Sequence, residues 1–274
     1  MSLSRRTNLS LRALALLYLT LLLLLPLGVV FWRTFEHGFG TAWSWMTTPA
    51  AQSALWLSLT AAAIAVPLNT IFGVGSALVL VRDHGHGRAR KLLDALIDLP
   101  FVVSPVIVGL ALILVYGIQG WFGRWFSDHG IRLIYSTPGI VLATVFVSLP
   151  FVVREVTPVL IEIGDEQEQA AATLGASAWQ TFWRVTLPAI RWGVAYGVVL
   201  TTARALGEIG AVLVVSSNIP GSTLTLPLLV NQRAADPGAT SLTGAYAAAT
   251  ELAVISLVVL LAMTMLSPRK GNSR

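Results

Sequence analysis

The chain contains no cysteine, so neither a disulfide framework nor a thiolate metal site is available to it. Lys91 and Lys270 are its only lysines, and no G-x-x-x-x-G-K-[S/T] run occurs. The usual phosphate-binding loop therefore cannot be built here, and any ATP must be handled by another protein. No His-Glu-x-x-His pair, nucleophile elbow or Cys/His metal spacing is present either. Charge is equally scarce. Only 11% of the 274 residues are Asp, Glu, Lys or Arg, against about a quarter in soluble domains. Too little polar surface remains for a water-facing globule, and lipid is the solvent this composition fits. Alternating strand patterns of a membrane barrel are missing. So are long low-complexity linkers and any stretch resembling a separate soluble domain, and residues 1–274 read as one membrane unit.

What the chain does have is apolar residues, 55% of the total, with a mean hydropathy of +0.75. A helix needs about 20 apolar residues to cross about 30 Å of hydrocarbon. Six runs qualify: 11–32, 54–81, 92–117, 138–156, 192–215 and 245–266. In lipid the backbone must satisfy its own hydrogen bonds, so these are expected to be helices. The expected fold is an all-α, polytopic membrane bundle of about six transmembrane helices. Pro67, Pro100, Pro105 and Pro150 fall inside the runs and are expected to kink them. The N-terminal run follows Arg5 and Arg6 but lacks a small-x-small cleavage site near Pro26, and reads as an uncleaved span.

Thirteen basic residues fall on one side of the six runs, among them Arg5, Arg82, Arg88, Lys91, Arg154, Arg184 and Lys270. Four fall on the other: Arg33, Arg124, Arg132 and Arg233. The positive-inside rule then puts both termini and the 157–191 loop in the cytoplasm. The net charge of +5 is thus a topology signal, not a nucleic-acid footprint. Trp121, Phe122, Trp125 and Phe126 read as an interfacial aromatic belt. His84-Gly-His86 lies in a basic loop and is not read as a metal site.

The 157–191 loop is polar and short between long apolar runs. Asp165 is placed to cap a helix, with Glu168 at its third position, and Ala170, Ala171 and Ala172 propagate it. Gly175 is the expected stop. Ser177-x-x-Gln180 opens a second helix, on which Trp179, Phe182 and Trp183 share a face. Leu187-Pro188 is expected to prevent smooth continuation into the next span. Spacing alone fits a contact surface and an ordinary loop packed on its own bundle equally well.

Within the fifth run, Arg204 and Glu208 stand four apart and share a face. A charge in hydrocarbon is expensive, so such residues pair, face the interior or line a pathway. Two roles compete: a structural ion pair between helices, or an anion route shaped by Arg204. Thr201, Thr202, Ser216, Ser217 and Asn218 could serve either. Gly193-x-x-x-Gly197 permits close helix packing, within this subunit or against another. Asp94, Asp98, Glu155 and Glu251 lie near run ends and read as anchors or contacts to neighbouring chains.

From Gln169 to Pro188 the pattern Q-A-A-x3-G-x9-V-x-L-P resembles the EAA loop of permease subunits of bacterial ATP-binding-cassette importers. That resemblance implies a cytoplasmic ATPase seated on Glu168, Gln169, Ala170, Ala171, Gly175, Trp179, Leu187 and Pro188. The leading Glu of that pattern is Gln169 here. Thr201-Thr-Ala-Arg-Ala-Leu-Gly-Glu-Ile-Gly210, Asp98-Leu-Pro-Phe-Val-Val-Ser-Pro105 and Ser148-Leu-Pro-Phe-Val-Val-Arg-Glu155 are similar to sulfate/thiosulfate importer permeases, the W-type most of all. The likeness covers about residues 54–266. It implies a paralogous T-type permease partner, an ATPase dimer carrying ATP-Mg, an extracytoplasmic sulfate-binding protein and a place in the bacterial inner membrane. No cofactor is expected in this chain, and it is not expected to be an enzyme. Molybdate or tungstate permeases share the Ala-Arg-Ala-Leu-Gly-Glu run. An ion-coupled secondary transporter would need inverted repeats and broken helices. Neither is clear in the pattern, although LPFVV occurs at both 99–103 and 149–153.

Overall fold

The computed structural model describes residues 5–82, 87–236 and 238–266, and among them every regular element is helical. In chain order these are α1 (Arg5–Leu19), a π turn (Thr20–Leu24), α2 (Leu25–Phe35), α3 (Phe39–Met46) and α4 (Pro49–Arg82). Then follow α5 (Gly87–Val102), α6 (Pro105–Tyr116), α7 (Gly123–Asp128) and α8 (Thr137–Ile163). The loop helices are α9 (Glu166–Thr173) and α10 (Ala178–Thr181), with a second π turn (Phe182–Thr186) leading into α11 (Leu187–Leu206). The chain ends with α12 (Gly210–Val215), α13 (Leu226–Ala235) and α14 (Ala239–Leu266). His84 and His86 lie outside the described residues.

The bundle expected from composition is present, with a different count. Among the described residues, four stretches are long and apolar enough to cross a membrane: Leu11–Phe35, Pro49–Arg82, Thr137–Ile163 and Ser241–Met263. A fifth forms only if α5 and α6, bent by 112°, are taken together. The bend falls at Pro105, which lacks an N–H and disfavours helix at Ser104 before it. Pro67, Pro100 and Pro150 stay inside single helices. The run 192–215 is also interrupted, because α11 stops at Gly207 and α12 starts at Gly210.

Both breaks meet in space. A Cβ on Gly210 would stand 2.8 Å from Cβ of Pro105, and one on Gly109 would stand 2.7 Å from the Ala211 carbonyl oxygen. Broken helices, expected of secondary transporters and not legible in the pattern, are thus a property of this chain. They do not separate the two classes.

The helices α4, α8 and α11 pack closely on one another. The buried residues of α4 are mostly small, among them Ala51, Ala54, Ser58, Ala61, Ala65, Gly73 and Ala77. In lipid there is little hydrophobic drive between helices, and close backbone approach supplies the packing energy instead. Val152 of α8 is fully buried. A Cβ on Gly73 would stand 2.6 Å from its Cβ, and one on Gly197 would stand 2.9 Å from its Cα. Gly193 likewise approaches the Glu155 carbonyl, 2.8 Å from its would-be Cβ. The Gly193-x-x-x-Gly197 face therefore packs within this subunit. Asn69 adds a polar tie to α8, donating to the Val145 carbonyl at 3.1 Å and to Ser148 Oγ at 2.8 Å.

Candidate functional site

At one end of the bundle the loop between α8 and α11 folds from its own sequence. α9 ends in a Schellman motif: the Ala176 N–H donates to the Ala171 carbonyl at 3.0 Å and the Gly175 N–H to Ala172 at 3.0 Å. That geometry sets Gly175 at φ +87°, a conformation that L side chains disfavour. The space around a Gly175 Cβ is open, so conformation, not crowding, selects glycine. Ser177 and Gln180 form the reciprocal capping box expected of them.

Two expectations for this loop are overturned. Asp165 makes no side-chain cap, and Glu168 does not fold back to it. Glu168 turns inward to Arg82 (Nε to Oε2, 3.0 Å) and accepts from the Thr186 hydroxyl at 2.8 Å. The charge-assisted partners outcompete a neutral backbone cap. Pro188 does not halt the chain either. The π turn sends the Leu187 N–H back to the Phe182 carbonyl. The wider turn makes room for the proline ring and lets helix run from α10 into α11.

The exposed face of the loop mixes small, polar and large apolar residues. Gln169, Ala170, Gly175 and Pro188 are exposed, while Ala171 and Leu187 are half-buried. Trp179 is 70% exposed and Leu174 is 88% exposed. Trp179, Phe182 and Trp183 form one aromatic cluster, with ring centroids 5.3 to 6.3 Å apart. Phe182 is its inner member, packed against the core around Val152 and Ile190. Leu174 is the residue that sequence reasoning missed. A leucine at the apex of a polar loop was the available signal.

A second constellation sits at the helix breaks. Arg204 Nη1 lies 2.8 Å from Glu208 Oε2, and Glu208 is almost wholly buried. Its other oxygen accepts the Ala211 N–H at 2.8 Å. The pair therefore ties α11 to α12 across the break in one segment, rather than two separate spans. Arg204 also lines a cleft of about 370 Å³ whose other walls are Pro100–Pro105, Val147 and Phe151. The two roles weighed for it are geometrically compatible. Thr201 is fully buried and Thr202 bonds to the Val198 carbonyl. Ser216 donates to the Thr223 carbonyl and Ser217 pairs with Thr223 Oγ1, so both are engaged by their own loop. Asn218 stands there at φ +56°.

Arg154 bonds Asp94 at 2.8 Å and Asp98 at 2.9 Å. The pairing ties α5 to α8 and is compatible with the reading of Asp94 and Asp98 as anchors. Glu251 has one buried oxygen without a hydrogen-bond partner. Trp121, Phe122 and Trp125 are exposed, as a belt requires.

A helical membrane bundle with broken spans and an exposed loop between α8 and α11 is the arrangement of a membrane transport component. Residues 69–272 match the family described as "Binding-protein-dependent transport system inner membrane component", and the chain belongs to that family. It is 50% identical, over 96% of its length and 93% of the relative's, to the sulfate transport system permease protein CysW of Synechocystis sp.. It is 40% identical, over 91% of its length and 88% of the relative's, to the sulfate transport system permease protein CysT of Synechococcus elongatus. A solved bacterial alginate ABC transporter, in complex with an alginate pentasaccharide-bound periplasmic protein, matches in fold. Its TM-score is 0.76 at 19% identity, covering 96% of this chain and 94% of that one.

Proposed function

We propose that this chain is a permease subunit of an ATP-driven importer for sulfate or thiosulfate. It forms half of the translocation path as a single transmembrane domain. The observation that carries the reading is the 50% identity to a sulfate permease across nearly the full length of both chains. Similarity to both CysW and CysT supports pairing with a paralogous permease subunit. An extracytoplasmic binding protein then delivers the anion, and a dimeric cytoplasmic ATPase binds ATP-Mg. The loop end of the bundle faces the cytoplasm, as do both ends of the chain.

The chain's own part in this is mechanical and electrostatic. Leu174, Ala170, Gly175 and Trp179 present a small-residue and aromatic surface on which a partner can approach closely. Arg204 offers the anion a positive charge inside the bundle. Glu208 holds that guanidinium and lowers the net charge of the cleft, which favours weak, transient binding. A conducting path needs a site that anions enter and leave readily.

The test is labelled sulfate uptake in cells deleted for this gene, with the gene restored and molybdate as competitor. Restored uptake that excess molybdate barely inhibits is the expected result. Failure to restore sulfate uptake, with molybdate uptake restored instead, would overturn the assignment of substrate.

A further inference from the structure

Arg82, Glu168 and Thr186 lie far apart in the chain and meet at one point. Arg82 is the last residue of α4, Glu168 is on α9, and Thr186 closes the π turn that opens α11. Arg82 grips Glu168 through two nitrogens, Nε at 3.0 Å and Nη2 at 3.3 Å, and also donates to the Gly164 carbonyl at the end of α8. Glu168 accepts the Thr186 hydroxyl at 2.8 Å. Both charged side chains are about four-fifths buried, and Thr186 is nearly wholly so. A partly buried bidentate Arg–carboxylate pair is stiffer and better screened from salt than a surface pair.

The backbone neighbours of α9 are α10 and the π turn. The backbone joins α9 to the end of α8 through Gly164 and Asp165, and side chains carry its link to α4. The helices α4, α8 and α11 are locked together at Val152, through Gly73 and Gly197. The far end of α11 carries Arg204 in the cleft. At about 1.5 Å per residue, its 20 residues span about 30 Å.

We infer that Arg82 and Glu168, with Thr186, are the positioning residues that couple the docking loop to the spans. A displacement of α9 by a docked partner is passed to α4, α8 and α11 as one block, and the breaks at Ser104 and Gly207 absorb the movement. Glu168 thus belongs to the linkage and not to the docking face. The inference rests on the docking reading under Proposed function, which has its own test through Leu174 in the Discussion.

The experiment uses the assembled complex with its ATPase and binding protein in proteoliposomes, and reads labelled sulfate transported per ATP hydrolysed. Arg82→Gln is expected to retain the ATPase and its hydrolysis while transport per ATP falls on the order of tenfold. Arg82→Lys keeps the charge but not the fork, and Thr186→Val removes one arm, so both are expected to show smaller losses. Exchange of the two charges, Arg82→Glu with Glu168→Arg, is expected to recover part of the ratio. An unchanged ratio in Arg82→Lys and Thr186→Val overturns the inference even if Arg82→Gln fails to assemble. Loss of the ATPase from an intact Arg82→Gln permease also overturns it, because the residues would then shape the docking surface itself. Retention of the ATPase by Leu174→Asp would instead sink the docking reading and leave the linkage to be judged by its own ratio.

Discussion

Arg204 at the end of α11 forms a 2.8 Å ion pair with Glu208 in the break before α12, with the carboxylate buried and the guanidinium at the cleft. Removing one member leaves the other charge without its partner in a poorly solvated place, which costs about 3–5 kcal/mol when a pair is fully buried. Arg204→Ala is therefore expected to lower both membrane level and uptake. Arg204→Ala combined with Glu208→Gln is expected to recover the level without recovering uptake, which stays about tenfold down, equivalent to about 1.4 kcal/mol. Undiminished uptake by the double variant at normal level would remove Arg204 from the path.

The contact of Gly73 with Val152 leaves no room for a side chain. Gly73→Leu is expected to force α4 from α8 and cost about 1–3 kcal/mol, the usual range for overpacking. The midpoint of thermal aggregation of the detergent-solubilised protein should fall. An unshifted midpoint would show that the helices do not pack this closely.

Asn69 is buried in the same seam and bonds to Val145 and Ser148 on α8. Interhelical hydrogen bonds in membranes contribute about 0.6 kcal/mol on average and up to about 1.7. Asn69→Leu is expected to lower the same midpoint less than Gly73→Leu does. A larger drop for Asn69→Leu would mean that hydrogen bonding, rather than close packing, holds α4 on α8.

Leu174 and Gly175 carry the docking reading. Leu174→Asp puts a charge at the apolar apex, and Gly175→Asp puts a side chain at φ +87°, where non-glycine residues lose about 1–2 kcal/mol. Neither site contacts the bundle core, so the permease should accumulate normally while co-purification of the ATPase falls. Unchanged co-purification for both would mean that the partner does not sit on this loop.

What was legible in the sequence was local. Gly175 as a stop, the Ser177–Gln180 box and the apolar runs all depend on neighbours within a turn or two. The bend at Pro105 was legible as a kink, whereas the break at Gly207 was not, because its context is set by α6 packing on α12, through Gly109 and Gly210. Pro67 and Pro100 show that proline alone does not make a break. Glu168 was misread for a related reason. A local cap is visible in sequence, whereas a partner 86 residues away, Arg82, is not. Pro188 was misread because a π turn, which has no strong sequence signature, absorbed its missing bond.

The central claim is that this chain carries sulfate when a separate ATPase closes on its loop. The most direct measurement is labelled sulfate entry into proteoliposomes holding this permease, its partner permease and the ATPase, with binding protein outside and ATP inside. The account predicts uptake that requires ATP and the binding protein and is lost with Leu174→Asp. Uptake that persists without ATP, or is driven by an ion gradient alone, would contradict it.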